Sequence, residues 1–156
     1  MEQQHHEKQM IHSWKPMAFE LGLDAVVMYF VMYTMIDRVD HLYPNLNNGY
    51  MTAMMVSSMA VVMAVTMKTM FSSPRMRWGV AGAALLVGLL AFAGMRTQAG
   101  VGDASFLRAM IPHHSGAILM CERATLTDPE IVALCGDIVR SQRAEIAKMK
   151  ELLARR

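Results

Sequence analysis

Cysteine is scarce in this chain, two among 156 residues. That is too few for a disulfide framework to organise a fold of this length. Charge of one sign is lacking as well, with 15 Lys and Arg against 13 Asp and Glu and a net charge of +2. There is no basic stripe and, with aromatics at 7%, no platform on which bases would stack, so nucleic acid is not an expected partner. No evident cleavage site follows the first apolar run, and the sixteen residues before it are polar, so a cleaved signal peptide is not expected. Leucine is not inflated, although the chain is 54% hydrophobic. Methionine is, at 18 of 156. Packing against lipid or in a core is served by Leu, Ile and Val, so this flexible, polarizable thioether calls for a further reason.

The apolar residues fall into three long runs. Residues 17–36, 50–71 and 78–95 each suit a helix crossing a hydrocarbon layer of ~30 Å. The expected organisation is therefore a polar tail over 1–16, a three-helix transmembrane region over 17–96, a linker over 97–102 and a soluble part over 103–156. His5, His6, Met10 and His12 in the tail are weak metal donors or incidental. Glu20 and Asp24 lie one turn apart in the first span, where a carboxylate is either functional or paired within a bundle. Residues 37–49 (DRVDHLYPNLNNG) read as a turn-rich, solvated loop, with Asp37, Asp40 and His41 as a hard-ligand alternative. The third span carries Gly79/Ala83 and Ala84/Gly88 at spacings suited to close helix contact.

Orientation follows from Lys and Arg near the span ends. Lys68, Arg75 and Arg77 flank the second loop, and Arg38 alone marks the first, which places the second loop and the N-terminus in the cytoplasm. Arg96 argues the other way. The C-terminal part then lies on the outer face of an inner (plasma) membrane, periplasmic or extracellular.

In the second span Met51, Met55, Met59, Met63 and Met67 recur every fourth residue. A stripe at that spacing winds slowly round a helix. It is either helix packing or a thioether ladder passing Cu(I) along the bundle.

The soluble part reads as an αα-hairpin. One helix starts at a cap on Asp103 or Ser105 and runs to about Thr125; Thr127 and Glu130 have capping-box spacing, and Pro129 opens the second helix, which ends near Ala154. So small a unit needs a metal, a partner copy or the membrane bundle to support it. At about 100° per residue, Met110, His114, Ala117 and Cys121 share one stripe, with His113 and Met120 beside it. Imidazole, thioether and thiolate together select copper over hard cations. A turn centred on Asp128 sets Cys121 opposite Cys135, His114 opposite Gln142, and Met110 opposite Ile146 with Glu145 alongside; Met149 comes opposite Leu107. Facing cysteines either form a disulfide or hold Cu(I) as thiolates, unless they are two separate buried thiols.

The pattern Asp103, Phe106, Met110-Ile111, His113-His114, Ala117, Met120, Asp128-Pro129, then Gln142, Glu145-Ile146 and Met149 resembles a bacterial domain family that includes CopM-like periplasmic copper-binding proteins. Upstream, Met32-Tyr33-x-Met35, Tyr43-x-Asn45-x-Asn47 and Tyr50-Met51-x-x-x-Met55 are similar to the membrane region attached to some members. The resemblance implies a ferritin-like helical hairpin, self-association and copper ligation by Met110, His113, His114, Met120 and Met149. Cys121 and Cys135 depart from its pattern.

The reading is thus all-α: three transmembrane helices followed by a ferritin-like hairpin. The expected function is copper binding, as Cu(I) or Ag(I), for sequestration, tolerance or delivery. The expected partners are the bilayer, further copies of the chain and a copper donor or acceptor protein. The chain is not expected to be an enzyme. The alternatives are a copper-dependent oxidoreductase using the His pair and Glu145, a Met-lined conduit, and a purely structural membrane protein.

Overall fold

The computed structural model describes residues 14–156; the N-terminal histidines and Met10 lie outside the described residues. Among those described there are five α-helices and no strand: α1 Trp14–Val31, α2 Leu46–Thr66, α3 Pro74–Thr97, α4 Asp103–Arg123 and α5 Pro129–Ala154. Short 3₁₀ turns at Met32–Met35, Val39–His41 and Lys68–Met70 punctuate the connections.

Three segments are long and apolar enough to cross a membrane, namely Pro16–Met35, Leu46–Thr66 and Pro74–Thr97. The middle one starts earlier than residue 50 because Asn45 caps it, its Oδ1 accepting from the Asn48 N–H at 2.9 Å. It also ends before residue 71, where Lys68–Met70 tightens into a 3₁₀ turn. Ser73 caps α3, accepting from the Met76 N–H at 3.2 Å, and Pro74 fits the first turn, where its missing donor costs nothing. At the other end Gln98 takes the left-handed conformation at φ 52° and its N–H returns to Gly94 and Met95 carbonyls.

The chain divides into two compact units, residues 1–29 with 49–99, and residues 30–48 with 100–156. In the first, small residues make the close contacts: Thr52, Ser57, Ala60 and Ala64 are the buried face of α2. A Cβ on Gly88 would meet the Ser57 Cβ at 3.2 Å, so glycine lets α2 and α3 approach closely here. Gly79 and Ala83 are exposed and take no part in such a contact. At one end Met17, Ala64, Phe71 and Ala81 form a buried cluster with Met63, Met70 and Met76 around it.

The second unit is the hairpin of α4 and α5 with residues 30–48 packed on it. The helices meet along Leu107, Ile111 and Ile118 from α4 and Ile146 and Met149 from α5. Ile111 and Ile118 are fully buried, each contributing about 1.5–3 kcal/mol of apolar transfer. With His114 between them, the α4 seam runs 107, 111, 114, 118, 121, the alternating step of four and three that keeps one face on a partner helix. It is rotated from the stripe expected at Met110, His114, Ala117 and Cys121, because the branched side chains of Ile111 and Ile118 claim the centre and leave Met110 and Ala117 half-buried at its edge. The helix continues through Pro112.

Two caps differ from expectation. Asp103 is the first helical residue rather than the cap of α4; Gly102 takes the cap position, and the Asp103 carboxylate pairs with Arg156 at 2.7 Å. Asp128, not Thr127, caps α5, accepting from the N–H groups of Glu130 at 2.8 Å and Ile131 at 3.3 Å.

Residues 37–45 are a loop solvated at Arg38, Val39, Asp40, Leu42 and Pro44 but anchored at the buried His41 and Asn45, and 46–49 open α2. The Tyr33 hydroxyl donates to the Tyr43 carbonyl at 2.8 Å, and the Asn45 amide donates to both the Tyr33 oxygen and the Tyr43 carbonyl at 3.1 Å. His41 is buried, and Lys150 of α5 reaches Asp40 at 2.5 Å. The small hairpin therefore gains its third layer from its own chain.

Candidate metal centre at the helical hairpin

His114 is the centre of the arrangement. Its place on the α4 seam buries the side chain to 9% exposure. A buried imidazole must place two ring nitrogens. Nε2 lies 2.7 Å from Oε2 of Glu145 on α5, so a proton there satisfies the carboxylate. Nδ1 is buried without a hydrogen-bond partner. With the proton on Nε2, the Nδ1 lone pair faces the interior with nothing to accept. Metal-ligating histidines are built this way, one nitrogen donating to a carboxylate and the other free for the ion.

Met110 is one helical turn before His114 on the same face, and it packs against the core cluster that contains Met149. Met110 and Met149 thus belong to the core cluster of this unit, and His114 is buried on the α4 seam that contributes to it. Glu145 is held from its other side by Ser141, whose hydroxyl donates to Oε1 at 2.6 Å. That hydrogen bond first, and the one from His114 second, hold the Glu145 carboxyl below its ordinary range. Glu145 is therefore an orienting partner of His114 rather than a donor pointing at the same space.

The remaining expected ligands lie apart from this group. His113 is exposed, its ring edge-on to that of His114 with centroids 5.9 Å apart. Met120 is 55% exposed. Cys121 and Cys135 do face each other, with Cα atoms 5.3 Å apart, and are joined as a disulfide. In that form they offer no thiolate. Among the described residues no three His, Cys, Asp or Glu side chains converge on one point as a metal-binding group.

The methionines of α2, with Met67 just past its end, do not make a buried file within the chain. Met51, Met55 and Met67 are exposed, and Met59 and Met63 are half-buried. Helix contact goes to Thr52, Ser57, Ala60 and Ala64 instead, because small residues let backbones approach and the long thioethers flank the contact.

A second polar cluster was not anticipated as a unit. Ser115, fully buried on α4, accepts from the Asp37 N–H at 2.7 Å, and its Oγ lies 2.8 Å from Nδ1 of His41. Burial, then the Lys150 ammonium, pushes the His41 pKa down. Hydrogen bonds from Lys150 and Arg38 hold the Asp40 carboxyl far below its ordinary range. Asp37, Asp40 and His41 border a cleft of about 550 Å³, with Lys150 and Arg143 on the opposite wall. Arg143 is paired with Glu122 at 2.5 Å. The cluster fastens residues 37–41 to α4 and α5 and, with its cations already paired, is a latch rather than a hard-ligand site. The signal in the sequence was the pair Ser115-Gly116, small residues on a helix otherwise seamed with isoleucine. A Cβ on Gly116 would meet the Met35 carbonyl at 3.3 Å.

Comparison with known proteins agrees with an extended family relationship. A family model described as "Domain of unknown function (DUF305)" matches residues 2–153. The chain is similar to a protein of Acanthamoeba polyphaga mimivirus described as "Uncharacterized protein L153", 34% identical over 114 residues, which are 72% of this chain and 73% of that protein. No solved structure matches the chain.

Proposed function

We propose, from the premise that this chain belongs to the DUF305 family, that it is a membrane-anchored copper-binding protein handling Cu(I) for sequestration, tolerance or delivery. The observation that carries this reading is His114: Nε2 is held by Glu145 and the buried Nδ1 has no partner, on a helix that also brings Met110 to the core cluster containing Met149. An unsatisfied buried acceptor costs free energy unless something fills it. An ion that prefers imidazole and thioether over water and carboxylate is Cu(I), with Ag(I) as its analogue. His113 and Met120, exposed on the adjacent face of α4, are the donors through which copper enters, leaves or meets a second copy.

The same reading anchors the chain in the inner membrane through its three apolar helices. Lys68, Arg75 and Arg77 lie inside and the hairpin lies on the outer face. Copper here is cargo, so a donor or acceptor protein is part of the proposal.

The test is Cu(I) competition against a chromogenic chelator, using full-length protein in detergent. His114→Ala is expected to weaken binding by at least about tenfold, and His113→Ala by less, since one loses the oriented buried donor and the other an exposed one. Unchanged affinity in the double variant sinks the site.

A further inference from the structure

The copper reading leaves Cys121 and Cys135 without a part, since a disulfide offers no thiolate. The same reading also leaves a chemical mismatch. The imidazole and thioether donors assigned by that reading retain Cu(I) in preference to Cu(II). On an oxidising face of the membrane, where thiols tend to pair, copper is met as Cu(II). A Cu(I) site in that setting needs electrons, and these are the two cysteines in the chain.

Their placement suits electron donation. The Cα separation of 5.3 Å lies inside the range that a disulfide spans, about 4.4–6.8 Å, so the bond closes without backbone movement. The helices carrying them are held together independently by Ile118 and Val139 in the core cluster. Both cysteines are half-buried, and they line a cleft of about 350 Å³ with Ala124, Leu126, Val132 and Val139. A small ion can enter that cleft, and those four side chains bring no polar group to compete with sulfur. Cys121 follows His114 by two helical turns on the same seam, about 10.5 Å along the axis.

We propose that the Cys121–Cys135 pair is a reduction site for Cu(II) that loads the His114 donors with Cu(I); the loading step rests on the copper reading above. In the reduced protein two thiols give up two protons to solvent and two electrons, and one sulfur–sulfur bond forms. Two Cu(II) ions each accept one electron and become Cu(I). Resetting takes a dithiol reductant: it attacks the disulfide, its own two thiols become a disulfide, and Cys121 and Cys135 regain their protons.

The experiment uses full-length protein in detergent, reduced, freed of reductant without oxygen and mixed with two equivalents of Cu(II) sulfate. A Cu(I)-specific chromogenic chelator reads the copper, and intact mass after alkylation reads the thiols. The expected result is two Cu(I) and one intramolecular disulfide per chain. Cys135→Ser, with one thiol left, is expected to react at least about tenfold more slowly, because its sulfur must find a second molecule. The double variant Cys121→Ser/Cys135→Ser is expected to reduce no Cu(II), yet to retain Cu(I) supplied directly. His114→Ala is expected to reduce Cu(II) normally and surrender the Cu(I) to the chelator at once. Retention of directly supplied Cu(I) by a parent protein that leaves Cu(II) unreduced, with both thiols still alkylated, overturns the reduction step alone. So does equal reduction by the double variant. Failure of the parent to retain directly supplied Cu(I) overturns the binding reading and, with it, the loading step.

Discussion

Nε2 of His114 and Oε2 of Glu145 stand 2.7 Å apart, joining two helices across 31 residues of sequence. This one hydrogen bond decides which imidazole nitrogen holds a proton, and so which one is left as a buried lone pair.

Removing that carboxylate is expected to weaken Cu(I) binding without removing a ligand. Glu145→Ala is expected to lower affinity about 10- to 100-fold, the usual cost of losing a histidine's orienting partner. Glu145→Gln keeps an acceptor for Nε2–H and is expected to lose less. Chelator competition ranks the three proteins. An affinity for Glu145→Ala equal to that of the parent shows that the ring is oriented by something else.

His41 is expected to make stability depend on pH. Its pKa is lowered in the folded protein from an ordinary 6.5. The folded state therefore binds fewer protons than the unfolded chain, and the stability this confers is full above about 6.5 and is lost as pH falls through the folded value. Asp40, Asp37 and Arg38 on its own segment, Lys150 on α5 and the Ser115 hydroxyl on α4 are the groups that set this. The melting temperature in detergent is expected to drop between about pH 7.5 and about pH 5, and His41→Gln to flatten that slope. Equal slopes in the two proteins would refute the assignment. Asp40 and Glu145 are also lowered, and as carboxylates they add their loss only at more acid pH.

Asn45 is expected to be costly to remove. It caps α2 and also donates to Tyr33 and Tyr43 while buried. Loss of a cap costs about 1 kcal/mol, and stranding the buried oxygens adds to it, for a total of about 2 kcal/mol. Denaturant unfolding of Asn45→Ala measures this, and a loss near zero means the tyrosine network does not hold the segment.

Membrane orientation is accessible to labelling in intact cells. An impermeant thiol reagent is expected to reach a cysteine introduced at 97–102 and not one introduced at 72–73. The reverse pattern inverts the topology.

The all-α class and the long apolar helices were legible because their signals are local: twenty apolar residues, a helical period, Pro129 at a first turn. The facing of Cys121 and Cys135 was legible for a similar reason, since both are seven residues from the Asp128 turn and helix geometry carries that symmetry outward. The partner of His114 was displaced by about one turn, to Glu145 from Gln142, because helix rotation is set by side-chain volume. Ile111 and Ile118 took the centre of the seam, which pattern alone had divided among methionine, alanine and sulfur. Least legible was the contact between residues 37–41 and Ser115. It joins positions 74 and 78 apart through one hydroxyl, and no periodicity spans such a distance.

That long-range contact has a consequence for biogenesis. His41 is synthesised 74 residues before Ser115. At ~5–20 residues per second it waits about 4–15 s for its partner. In the proposed topology two further crossings, by α2 and α3, return the later segment to the side on which the earlier one emerged, so the two can meet. Until they do, His41 and the Asp37 N–H lack the Ser115 hydroxyl they bond to. A ribosome that stops after α3 therefore leaves behind a chain whose residues 30–48 lack their α4 and α5 partners, a form that quality-control proteases can distinguish from the finished protein.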